Sequence, residues 1–123
     1  MKERPLVLIV EDEYYLQADV VSILANSGFE ADAVSSGEEA VKLFASGTRP
    51  YKALIADIRL GGSVCGWEVA RQVRKRNRAL PVIYITANAA EEWASQSVPN
   101  SILIGKPFAS AQVVTALMLT CSV

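Results

Sequence analysis

Short apolar runs that stop abruptly at acids, a hydroxyl or a lysine recur along this chain. Val7-Leu8-Ile9-Val10 runs into Glu11-Asp12-Glu13, and Ala53-Leu54-Ile55-Ala56 into Asp57. Val82-Ile83-Tyr84-Ile85 ends in Thr86, and Ile102-Leu103-Ile104-Gly105 in Lys106-Pro107. Such runs read as strands buried on both faces. A weaker strand is expected over Glu30 to Val34. Helical patterns lie between the strands. Leu16, Val20, Ile23 and Leu24 share one face, with Gly28 as a C-terminal cap. Ser36-Gly37-Glu38-Glu39 fits a capping box ahead of the stripe Ala40, Val41 and Phe44, which Gly47 and Pro50 close. After a loop with Gly61, Gly62 and Gly66, Trp67 to Arg76 is expected to turn Val69, Ala70 and Val73 inward. Ala89 to Gln96 is a short, weakly patterned helix, Pro99-Asn100 a turn, and Ala109 to Thr120 the last helix. The alternation predicts (βα)5, a parallel sheet with right-handed crossovers.

Open α/β sheets bind ligands at the C-terminal edge of their strands. If the strands are parallel, Glu11, Asp12, Asp57, Thr86 and Lys106 converge there. Phosphoryl transfer to a carboxylate needs those residue types. It takes an ionised acid as nucleophile, further acids for a hard cation such as Mg²⁺, and an ammonium and a hydroxyl on the phosphoryl oxygens. Each residue alone is ordinary: a strand-terminal Asp is commonly a cap or turn residue, and a Lys-Pro a loop. Their order at successive strand ends carries the reading. Three acids at one edge should also raise at least one pKa without metal, and Mg²⁺ should stabilise the fold by linkage.

The bulk numbers narrow the class. The 123 residues are 51% hydrophobic and 20% charged, which fits one folded domain. A net charge of −1 gives no electrostatic case for nucleic acid or an anionic membrane. Lys2 and Arg4 precede an apolar stretch, but it is shorter than the roughly 7–15 residues of an export signal. No run approaches a membrane span, so the cytoplasm is the expected location. The chain has no histidine, which excludes Ser-His-Asp and Cys-His catalysis and histidine-ligated zinc. Cys65 and Cys121 lack metal-ligand spacing and read as reduced thiols.

Four segments together resemble the receiver domains of two-component response regulators: Val10-Glu11-Asp12-Glu13, Asp57-Ile58-Arg59-Leu60 with Gly66, Tyr84-Ile85-Thr86-Ala87, and Lys106-Pro107-Phe108. The match runs over essentially the whole chain. The resemblance implies a flavodoxin-like three-layer sandwich of strand order 2-1-3-4-5. It implies one domain over 1–123 with no output domain, since the chain ends just after the fifth helix. Asp57 would accept a phosphoryl group from the phosphohistidine of a sensor histidine kinase or a phosphotransfer protein. Asp12, Asp57 and the Arg59 main-chain carbonyl would bind Mg²⁺, with Glu11 acting through metal-bound water. Thr86 and Lys106 would grip the phosphoryl oxygens, and the Lys106-Pro107 bond would be cis. Such a protein catalyses only its own modification, and its output would be contact with an unidentified downstream protein. The alternative is a receiver-like interaction module that works without phosphorylation.

Several positions depart from the family pattern. Leu103 stands where an aromatic usually precedes the lysine by three residues, which questions the usual threonine–aromatic coupling. The Asp57 to Gly66 loop is one residue longer than the commonest form, and Gly61-Gly62 is expected to make it more flexible. The segment from Thr86 to Lys106 is shortened, consistent with a stunted fourth helix. Arg59 and Asn88 flank the phosphorylation site, where the family tunes dephosphorylation. The last helix carries Val113, Val114, Leu117, Met118 and Leu119, leaving open both a thick core face and a homodimer seam. Two other classes are disfavoured. A haloacid-dehalogenase-like phosphatase needs a second Asp two residues after its nucleophile, and Glu11-Asp12-Glu13-Tyr14 would repel the phosphate of a flavodoxin's FMN.

Overall fold

The computed structural model describes residues 4–87 and 92–120. Five strands, β1 (Leu6–Val10), β2 (Glu30–Val34), β3 (Tyr51–Asp57), β4 (Val82–Thr86) and β5 (Ser101–Gly105), alternate with five helices. These are α1 (Tyr14–Asn26), α2 (Gly37–Ala45), α3 (Gly66–Arg76), α4 (Trp93–Gln96) and α5 (Ser110–Thr120). All pairings are parallel, in the order β2-β1-β3-β4-β5. This is the flavodoxin-like sandwich that the sequence implied. The chain leaves β1 toward one side for β2 and returns to the other for β3, so the topological switch lies between β1 and β3.

The two-residue period of the strands divides the core into two layers. Leu6, Leu8 and Val10 pack with Leu54, Ala56, Tyr84 and the inner faces of α2 and α3. Val7 and Ile9 pack with Ile55, Ile83, Ile85, Val20 and Leu24 of α1, and Val113 and Leu117 of α5. β1, β3 and β4 are buried almost throughout, which is why they read as unbroken apolar runs. The edge strands β2 and β5 are half-exposed and more mixed.

Local signals hold with small shifts. Ser36 Oγ accepts the Glu39 N–H at 3.1 Å, capping α2. Glu13, which the sequence pattern did not single out, caps α1 by accepting from Tyr15 N at 3.2 Å and Leu16 N at 2.9 Å. α3 begins one residue before Trp67. α4 is a single turn, so the described part agrees with a stunted fourth helix; its expected start at Ala89, together with Asn88, Lys2 and Cys121, lies outside the described residues. In α5, Val113, Ala116 and Leu117 are buried, whereas Met118 and Leu119 are 68% and 72% exposed. The last helix therefore exposes two large apolar side chains near its C-terminal end beside the polar Gln112 and Thr115, in addition to its core face.

Away from the site, β2 and β3 are tied by Asp32. Its carboxylate accepts from Arg49 Nε at 2.9 Å, Arg49 Nη2 at 3.0 Å and Tyr51 Oη at 2.6 Å. The Arg49 guanidinium, and then the Tyr51 hydroxyl, hold this carboxyl below its ordinary range. A folded pKa below the unfolded one stabilises the fold above the ordinary carboxylate range. That contribution is lost as pH falls through the folded value. Asp32→Asn should therefore lower the melting temperature at neutral pH, with the deficit shrinking below about pH 4. A deficit that stays constant on acidification would count against this ion pair as its source.

Candidate functional site

The β1–β3 register pairs Val10 with Ala56, so the next residues, Glu11 and Asp57, stand side by side at the switch point. Both are buried, 3% and 5% exposed, and Thr86 at the end of β4 is 2% exposed. Asp12 is exposed, yet one carboxylate oxygen from each of Glu11, Asp12 and Asp57 lies within 4.8 Å of the others. Lys106 crosses from the end of β5. Its Nζ lies 2.7 Å from Asp57 Oδ2 and 3.6 Å from Glu11 Oε1. Its main-chain N–H donates to the Thr86 carbonyl at 2.7 Å, and the Lys106-Pro107 peptide is cis. The structure thus brings Glu11, Asp12, Asp57 and Lys106 together and sets Thr86 on the adjoining strand end.

Backbone amides orient the acids. Arg59 N donates to Asp57 Oδ1 at 2.9 Å, Glu13 N to Glu11 Oε2 at 3.0 Å, and Gly61 N to Asp12 Oδ2 at 3.0 Å. Gln17, a position that sequence patterning passed over, donates through Nε2 to the carbonyls of Glu11 at 3.0 Å and Val34 at 3.1 Å. It fastens the end of β1 to β2 and α1. Gly66 shows why the loop after Asp57 needs glycine at its far end: a Cβ there would run into the Asp57 carbonyl oxygen and lie 2.7 Å from Ile58 Cα. The Arg59 guanidinium lies 3.8 Å from Glu92 Oε1, with the two side chains 62% and 50% exposed. So exposed a pair contributes little to stability.

The electrostatics are those of a site with more negative charge than its lysine can balance. Burial pushes the Glu11 carboxyl up from 4.5 to about 8. The Glu13 amide opposes the shift, Asp57 adds to it, and Lys106 offsets part of it. Burial also works against the charged form of Lys106, but Asp57 and Glu11 outweigh it and hold the ammonium above its ordinary value. Glu11 Oε1 is buried without a hydrogen bond. An orphaned buried carboxylate oxygen within a three-acid cluster fits a hard divalent cation, which takes oxygen ligands and adds positive charge.

A parallel (βα)5 sheet with an acid triad and a lysine at its switch point defines a receiver-type signalling domain. The chain belongs to the response regulator receiver domain family, whose model matches residues 7–118. A response regulator receiver protein from Sinorhizobium medicae is 39% identical, with a TM-score of 0.93 over 97% of this chain and 95% of its own. The receiver domain of sensor histidine kinase PA1611 from Pseudomonas aeruginosa has magnesium coordinated in its active site cleft. It is 26% identical, with a TM-score of 0.85 over 98% of this chain and 99% of its own. Among curated relatives, an NtrX-like response regulator of Rickettsia bellii is 32% identical over 120 residues, 95% of this chain and 25% of that protein. The transcriptional regulatory protein CusR of Escherichia coli is 31% identical over 110 residues, 87% of this chain and 47% of that protein. The chain therefore spans between a quarter and about half of these relatives. Receiver domains signal through a histidine kinase or phosphotransfer partner. Among the described residues no helix is long and apolar enough to cross a membrane.

The raised Glu11 pKa predicts a pH dependence for metal-free protein. Between about 4.5 and 8, the folded state keeps a proton that the unfolded state has released. Stability should therefore fall as pH rises through that window. Glu11→Gln should flatten this part of the stability curve, read by chemical denaturation in EDTA. An identical slope in the variant would exclude Glu11 as its origin.

Proposed function

We propose that this domain accepts a phosphoryl group on Asp57 in a Mg²⁺-dependent reaction and switches protein–protein contacts in response. The observation that carries the reading is the contact of Lys106 Nζ with Asp57 Oδ2 at 2.7 Å beside the buried Glu11. It joins a cation from β5 to an acid at the end of β3. Asp12, Asp57 and the Arg59 carbonyl would hold Mg²⁺, with Glu11 reaching it through water. When bound, the ion would neutralise charge on the acids and the incoming phosphoryl oxygens.

A carboxylate oxygen of Asp57 would attack the phosphorus of a phosphohistidine on a sensor kinase or phosphotransfer protein. The new P–O bond forms as the P–N bond breaks, and the electron pair leaves on the imidazole nitrogen. Lys106 would shift its ammonium from the carboxylate to a phosphoryl oxygen. Thr86 would donate its hydroxyl to another, so catalysis is positioning and electrostatics. The Arg59 amide already fixes one oxygen of Asp57 and needs no rearrangement to keep the other aimed. The downstream partner would be a protein, met in the cytoplasm by surface contact.

Intact-mass spectrometry with acetyl phosphate and Mg²⁺ tests this directly. A single phosphoryl gain that needs the metal, is labile to hydroxylamine and is absent from Asp57→Asn is the expected result. No gain with acetyl phosphate or phosphoramidate would favour the phosphorylation-independent module. A millimolar Mg²⁺ addition should also raise the melting temperature of the wild type by linkage. If Arg59 gates water access, Arg59→Ala should change the lifetime of the phosphoaspartate without abolishing its formation; an unaltered lifetime would remove Arg59 from that role.

A further inference from the structure

The lengthened loop between β3 and α3 is held by α2 rather than left loose. Glu38 Oε2, in the first turn of α2, accepts from Ser63 N at 3.3 Å and Ser63 Oγ at 3.1 Å. Gly62, at a φ of +87°, lies beneath the same carboxylate, and a Cβ there would sit 2.9 Å from Glu38 Oε2. Gly37 closes the contact from the helix side, since a Cβ on it would collide with the Val64 carbonyl oxygen. Two residues before Ser63, the loop delivers the Gly61 N–H to Asp12 Oδ2. Glu38, Ser63, Gly61 and Asp12 thus form one continuous line from α2 to the acid cluster.

We infer that Glu38 is a positioning residue for the cation site: it fixes the loop so that the Gly61 amide orients the Asp12 carboxylate, leaving the other Asp12 oxygen for the metal. The inference rests on the Mg²⁺ reading above. Groups bonded directly to a metal-ligating side chain are worth about 10–100-fold in affinity. Glu38 acts one link further out and on the surface, so its loss should cost less.

The test compares Glu38→Ala with Glu38→Gln by calorimetric Mg²⁺ titration and by amide exchange at Gly61. Alanine removes the acceptor and should weaken Mg²⁺ about three- to tenfold, with faster exchange at Gly61 in metal-free protein. Glutamine keeps an acceptor oxygen and should stay within about twofold of wild type on both readouts. If Glu38 served only as a negative charge at the start of α2, glutamine and alanine would be equally impaired, and the positioning role would be overturned. Wild-type Mg²⁺ binding that is unchanged in Glu38→Ala would overturn this role alone. No Mg²⁺ binding by the wild type would overturn the metal reading and this role with it.

Discussion

Two carboxylates buried side by side at the switch point are the constraint on which the rest of this structure depends. Glu11 and Asp57 sit on neighbouring strands because the sheet order places β1 beside β3. An ionised carboxylate withdrawn from water without a partner is costly. The fold answers with an ammonium on a long stem from β5, two strands away, and with backbone amides on each acid. The compensation is incomplete, since Glu11 Oε1 has no hydrogen bond and its carboxyl is pushed upward. Such a cluster of acids fits a hard divalent cation.

The supports of the acids come from every side of the sheet edge. Gln17 of α1 ties the ends of β1 and β2, Gly66 lets α3 begin hard against the Asp57 backbone, and Lys106 N bonds back to Thr86. The loop after Asp57, with its paired glycines, is tied to α2 and to Asp12 by the Glu38–Ser63 and Asp12–Gly61 hydrogen bonds. Glycine there serves close approach: a side chain at Gly62 would displace the carboxylate that anchors the loop.

The strands and their chemistry were legible because burial on both faces forces unbroken apolar runs, and a run's end is marked by the first polar residue. That places Glu11, Asp57 and Thr86 without any knowledge of packing; β5 is half-exposed, yet its apolar run also stops just ahead of Lys106. The Ser36 cap was legible for a similar reason, being a local pattern with a fixed offset. Glu13, Gln17 and Glu38 were not. Each acts through one or two hydrogen bonds to a main-chain group, and Gln17 and Glu38 reach partners 17 and 25 residues away. No periodicity records those two pairings, and Glu13, although its cap is local, is not one of the residue types that mark an N-cap. The strand order was likewise supplied by the motif resemblance, since apolar runs name strands and not their neighbours.

Leu103 sits in an aromatic layer. In the β4–β5 register Leu103 lies directly beside Tyr84. Tyr84 is fully buried, its ring edge-on to Trp67 at 4.7 Å and to Trp93 of α4 at 5.9 Å, and its hydroxyl accepts the Val98 N–H at 3.1 Å. Leu103 thus lies beside a buried aromatic on β4 that is fixed by a backbone bond and two indole contacts. Leu103 packs beside it in a layer that already holds five aromatic side chains, Phe44, Tyr51, Trp67, Tyr84 and Trp93. No ring at position 103 can rotate inward, and Tyr84 cannot turn without losing its bond to Val98.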